Sequence, residues 1–208
     1  MNTDILQSYM LAVFLLALAP GPDLLYVLSL SVSRGIAAAI ATALGLVSGL
    51  LVHTVLVIVG LAEILKRFPQ FKTGLIYLGA TYLFYLAIRG YGQKSEGSPT
   101  VKVTEGWGKD YKRGVVMNLL NPKVSLFFLA FFPGFLFHQS WSIQKQFGLM
   151  GMLFMLISLV VFTGVALLGA RLSRWLHKGP GAKHFPIRYI SPTVLFLLAG
   201  YLLLQANS

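Results

Sequence analysis

Two short runs in this sequence place a helix-breaking proline and a charge together inside otherwise apolar chain. The first is Pro20-Gly21-Pro22-Asp23 and the second is Asn121-Pro122-Lys123, with Pro22 and Pro122 100 residues apart. A proline has no N–H to donate and clashes with the preceding turn, so backbone carbonyls lose their partners. In hydrocarbon, freed carbonyls are tolerated only where protein or a water-filled cavity covers them. A charge at the same depth costs several kcal/mol unless it is paired or hydrated. Asp23 is the one acid, and Lys123 the one base, within the apolar stretches. The chemistry such residues offer is ion pairing with a charged solute or carriage of a proton. The plainer alternatives are a pair of structural kinks and, for Lys123, snorkelling to the interface. Asp23 is too short to snorkel far, which makes it the stronger candidate.

Other side chains are weaker signals. Ala41, Gly45, Gly49 and His53 recur every four residues and so share one helix face. Gly45 and Gly49 form a small-xxx-small pair that lets another helix approach closely, a packing role. His53 extends that stripe and should face protein, as a hydrogen-bonded core histidine or a proton carrier. Asn118 and Asn121 could supply amide contacts beside the second break, while Phe127, Phe128, Phe131 and Phe132 should face lipid or core. The chain has no cysteine, which excludes disulfides and thiolate metal sites. One His and one Asp within the apolar stretches draw no metal cluster of normal spacing. No G-x-S-x-G or H-E-x-x-H is present, and no motif requires a cofactor.

The elements that must position these residues follow from composition. Hydrophobic residues are 56% of the 208, charged residues only 11%, and mean hydropathy is +0.75. Soluble domains carry about twice that charged fraction. Charge-free windows longer than the roughly 20 residues that cross a bilayer point to an all-α integral membrane protein. About six transmembrane helices are expected, near 5–32, 35–62, 73–88, 114–137, 146–170 and 189–207. The first stretch lacks a basic leader and a cleavage site, so it should not be a removable signal peptide. A net charge of +11 could suggest nucleic acid, but the bases lie in the connections between spans. Odd connections hold twelve Lys and Arg against four in the even ones, so odd connections should be cytoplasmic and both termini periplasmic. Three bases in the second connection count against that orientation; a first stretch that does not fully span would leave the N-terminus inside.

A polar, glycine-rich segment, residues 92–112, reads as a cytoplasmic linker between repeat one (1–91) and repeat two (113–208) of one transporter domain. Three helices per half is an odd number, so the halves should be inverted repeats with broken first and fourth helices. Matching breaks in such halves point to a substrate site. Glycines on two or more faces would permit a homodimer within the bilayer.

The motifs also carry a family resemblance. Leu18-Ala19-Pro20-Gly21-Pro22-Asp23 resembles the first-helix signature of the lysine exporter (LysE/RhtB) family. Ser33-Arg34-Gly35 with Gly45, Gly49 and Gly60-Leu61 is similar to its second segment. Asn118 through Lys123, followed by Phe127-Phe128 and Phe131-Phe132-Pro133, resembles its fourth. Ala39 and Gly134 depart from the family pattern, where glycine and glutamine are usual. The resemblance covers essentially the whole chain. It implies efflux of amino acids or close analogues across the bacterial inner membrane, by a secondary transporter using the proton gradient, as in a proton antiporter. The wider superfamily supplies an alternative, export of divalent metal cations.

Overall fold

In a computed structural model, residues 2–92 and 106–176 are described, together with 193, 196, 197, 199, 200, 203 and 204. All the described secondary structure is helical: α1 (Thr3–Leu18), α2 (Pro22–Arg34), α3 (Ile36–Arg67), α4 (Phe71–Gly92), α5 (Trp107–Leu119), α6 (Pro122–Gly134) and α7 (Ile143–Leu176). The chain is an all-α integral membrane protein. α3 and α7 are each long and apolar enough to cross a bilayer alone. α1 and α2 form a pair bent by 53°, and α5 and α6 a pair bent by 51°; counting each pair as one span gives four among the described residues. The third expected span lies inside α4. The expected 189–207 helix lies outside the described residues except for seven positions, all helical.

Glycine and proline set the boundaries. Gly35 has φ +91° and joins α2 directly to α3, a conformation that a side chain would strain. Pro22 and Pro122 each open a helix at its first position, where a missing N–H costs nothing and the fixed φ suits the helix. One boundary differs from the sequence expectation. The fourth span begins at Trp107 rather than near 114, so the last residues of the expected linker, Asp110 among them, are helical and packed. Residues 93–105 of that linker lie outside the described chain.

The core is aromatic at one end. Phe127, Phe128, Phe131 and Phe132 of α6 are fully buried; Phe127, Phe128 and Phe132 pack against Tyr9, Phe147 and Phe154, mostly edge-on, and Phe131 stacks on Phe127, so this run is core and does not face lipid. Tyr9 donates its hydroxyl to the Met150 carbonyl at 2.8 Å, tying α1 to α7. At that same end the Asn2 N–H donates to Phe137 O, and the buried Gln146 side chain bonds Phe137, His138 and Trp141. Elsewhere packing depends on small residues. A Cβ on Gly45 would collide with the Tyr111 carbonyl, one on Gly114 with the Thr42 carbonyl, and one on Gly49 would lie 2.6 Å from Asn118. α3 and α5 therefore run in near-backbone contact, as small residues allow in lipid.

Candidate functional site

The two breaks are built alike. At each, an extended residue, Gly21 or Asn121, precedes a proline that opens the next helix and leaves its second position charged. Pro20 lies between α1 and α2, half-buried, while Pro22 and Pro122 are exposed on the outer side of the turn. Asn121 folds its side chain back to accept the Lys123 N–H at 3.1 Å. The broken helices meet so that Asp23 and Lys123 face each other, both buried.

Lys123 does not snorkel. Its Nζ donates to the carbonyls of Leu16 at 3.1 Å and Ala19 at 3.3 Å, at the C-terminal end of α1. Lys123 therefore sits at the unfavourable positive end of its own helix, α6, but caps the negative end of α1. Asp23, at the N-terminus of α2, stands at the positive end of its own helix. Each ion is thus held by a helix terminus of opposite sign, and the base reaches across from the other half of the chain. Their separation, 3.9 Å from Nζ to Asp23 Oδ1, is an ion pair but too long for a hydrogen bond. Among the described residues Asp23 Oδ1 has no hydrogen-bond partner, although it is buried. Gly21 makes the approach possible, since a Cβ there would lie 2.6 Å from Asp23 Oδ1 and 3.0 Å from Lys123 Nζ.

Asp23, Lys123, Asn118, Leu16, Leu50 and Ser158 line a cavity of about 10 Å³, at the threshold for a single water molecule. Asn118 Oδ1 and Asn121 Nδ2 are also buried without hydrogen-bond partners. Buried polar atoms left unpaired cost about 1–3 kcal/mol each, so the group of them at one junction needs an explanation. His53 belongs to the same neighbourhood: it is buried, stacks on Phe128 at 5.4 Å, and its Nε2 has no partner. It lies outside the Asp23–Lys123 cavity, however, and lines a second one.

Sequence reasoning passed over several residues. Asp110, assigned to the linker, is 1% exposed and accepts from the Arg34 guanidinium at 2.7 Å, joining the end of α2 to the start of α5. Beside it Arg113 lies over the Tyr26 ring at 4.9 Å. The available signal was Trp107, whose position four residues before Tyr111 lets the two rings stack within one helix. Ser158, buried in α7 against the cavity, was hidden as one hydroxyl in a long apolar run.

Comparison with known proteins decides what these breaks belong to. The family of LysE type translocators matches residues 14–206, both breaks included. The chain belongs to the LysE family. This LysE translocator is 34% identical over 203 residues to the homoserine/homoserine lactone efflux protein of Salmonella typhimurium, covering 96% of each chain. It is 33% identical over 131 residues, 62% of each chain, to the leucine efflux protein of the same species. No solved structure matches it significantly.

Proposed function

We propose that this protein is a secondary transporter exporting amino acids or closely related zwitterions across the bacterial inner membrane, driven by the proton gradient. The observation that carries this reading is the half-paired Asp23–Lys123 couple, buried between two broken helices and bordered by amide groups without partners. A zwitterion presents one ammonium and one carboxylate. The ammonium would take Asp23 Oδ1 and Asn118 Oδ1, two acceptors that lack donors. The carboxylate would take Lys123 Nζ and the N–H groups that open α2, where the helix dipole favours an anion. Family membership and the efflux proteins among its relatives support the direction of transport.

The cavity is too small for such a solute as it stands. Transport would open it alternately to either side by rocking the broken-helix pairs, which would act as inverted repeats. Asp23 is also the natural carrier for a coupling proton, since protonation would release Lys123 and solute together. Export of a divalent cation has less support: among the described residues no three His, Asp or Glu side chains converge, and Lys123 would repel a cation.

The test is efflux from cells preloaded with homoserine or leucine, comparing the parent protein with Asp23→Asn at equal membrane abundance. Export should be abolished. Undiminished export by that variant would remove Asp23 from the mechanism, and unchanged metabolite release on deleting the protein would remove the function.

A further inference from the structure

A second cavity lies beyond the first. It is a groove of about 400 Å³ between α3 and α6, lined by His53, Leu56, Val57, Gly60, Ser125 and Phe128 among others. That size falls in the range of small-molecule sites. Its α3 wall is a π-helical turn, Val57–Leu61, a widened geometry often found at functional sites. Gly60 leaves the wall bare, with nothing among the described residues within 4 Å of where its Cβ would stand. At the inner end His53, 8% exposed, presents an Nε2 that has no partner among the described residues.

The groove shares no lining residue with the ion-pair cavity but lies next to it along two helices. On α3, Leu50 lines the inner cavity and His53 the groove; on α6, Val124 lines the inner cavity and Phe128 the groove. About one helical turn, ~5 Å, separates the two on each helix. What closes the gap is an aromatic layer, Phe128 stacked on His53 on one side and on Phe154 at 5.2 Å on the other. Phe154 lines the inner cavity.

We infer that the groove is a second solute subsite, the outward half of the export path, and that its apolar wall selects amino acids with uncharged side chains. This rests on the exporter reading above. A solute leaving Asp23 and Lys123 passes the Phe128 layer, hydrogen-bonds His53 Nε2 and lays its side chain along Val57, Leu61 and Ile64. A charged side chain would be desolvated there without a partner.

The chain has no cysteine, so Gly60→Cys carries a sole thiol. In freeze–thawed membranes, where reagent reaches both faces, a charged thiosulfonate should label it, and millimolar leucine or homoserine should slow labelling at least threefold. Gly60→Phe should cut efflux of leucine about tenfold at normal abundance. Gly164→Phe, at another open glycine, should not. Lysine and glutamate should neither be exported nor slow the labelling. Reaction with a lipid-soluble maleimide alone would mean an acyl chain fills the groove, and disulfide formation between two Gly60→Cys chains would mean a second copy covers it. Either outcome, or undiminished export by Gly60→Phe, overturns the inference. If Gly60→Phe blocks export and Asp23→Asn does not, the groove stands and the ion-pair assignment fails; the reverse pattern spares the assignment alone.

Discussion

Lys123 does two things at once. It supplies donors to the carbonyls that the first break leaves bare, and it balances Asp23. Lys123→Met removes both, leaving a buried carboxylate and two carbonyls unpaired, which should cost about 3 kcal/mol. A lower melting temperature in detergent would show it, and adding Asp23→Asn should restore part of the loss, because the neutral amide no longer needs a cation. Equal losses in the single and double variants would mean that the pair is not coupled. Gly21→Ala isolates the geometry: its methyl would push into Asp23 Oδ1 and Lys123 Nζ. Efflux should fall about tenfold with protein abundance unchanged. The two charges were legible in the sequence because a charge in an apolar run stands out. That the two charges meet between the breaks was legible too, and they stand 3.9 Å apart; what was not legible is that Lys123 also crosses to cap the end of α1, a helix distant in sequence.

At the level of helices, the glycines divide into two classes that sequence alone cannot separate. Gly45 faces the α5 backbone, which cannot move aside as a side-chain tip can, whereas Gly164 faces open space. Gly45→Ala should destabilise by about 1–3 kcal/mol through overpacking. Gly164→Ala should be neutral or stabilise by up to about 1 kcal/mol from helix propensity. Thermal unfolding of both variants in one detergent measures the contrast. The four-residue spacing of Ala41, Gly45, Gly49 and His53 revealed a packed face but not its partner. That partner, α5, begins at Trp107 within a segment whose polarity suggests a linker. Two of its polar residues are used internally, Asp110 bonded to Arg34 and the Tyr111 hydroxyl donating to Ser48 at 2.8 Å, while Lys109 and Lys112 are exposed. Polarity marks a loop only where the polar groups meet water, and local composition does not say which do.

Across the whole molecule, the helices sort the charges to two ends. The Ser31–Gly169, Thr42–Asp110 and Arg34–Asp110 contacts gather Arg34, Lys109, Lys112, Arg113 and Arg171 at one end. The Asn2–Phe137 and Tyr9–Met150 bonds tie the other, which holds Lys66, Arg67, Lys72 and Lys145. Helix packing thus groups the described loop charges in space as the odd and even connections divide them along the sequence. We propose from the positive-inside bias that the Arg34–Asp110 end lies in the cytoplasm. Two exposed positions test it, Ser140 in the connection before α7 and Lys109 at the start of α5. In intact cells with a permeable outer membrane, an impermeant maleimide should modify Ser140→Cys, and should modify Lys109→Cys only after the inner membrane is opened. The opposite pattern would place the N-terminus inside and reverse the direction in which the His53 groove opens. With the groove and the ion pair on one path, as proposed, that orientation would have solute reach Asp23 from the Arg34–Asp110 end and leave past Phe128. Leucine in the cytoplasm, and not outside, should therefore be the first to reach Asp23.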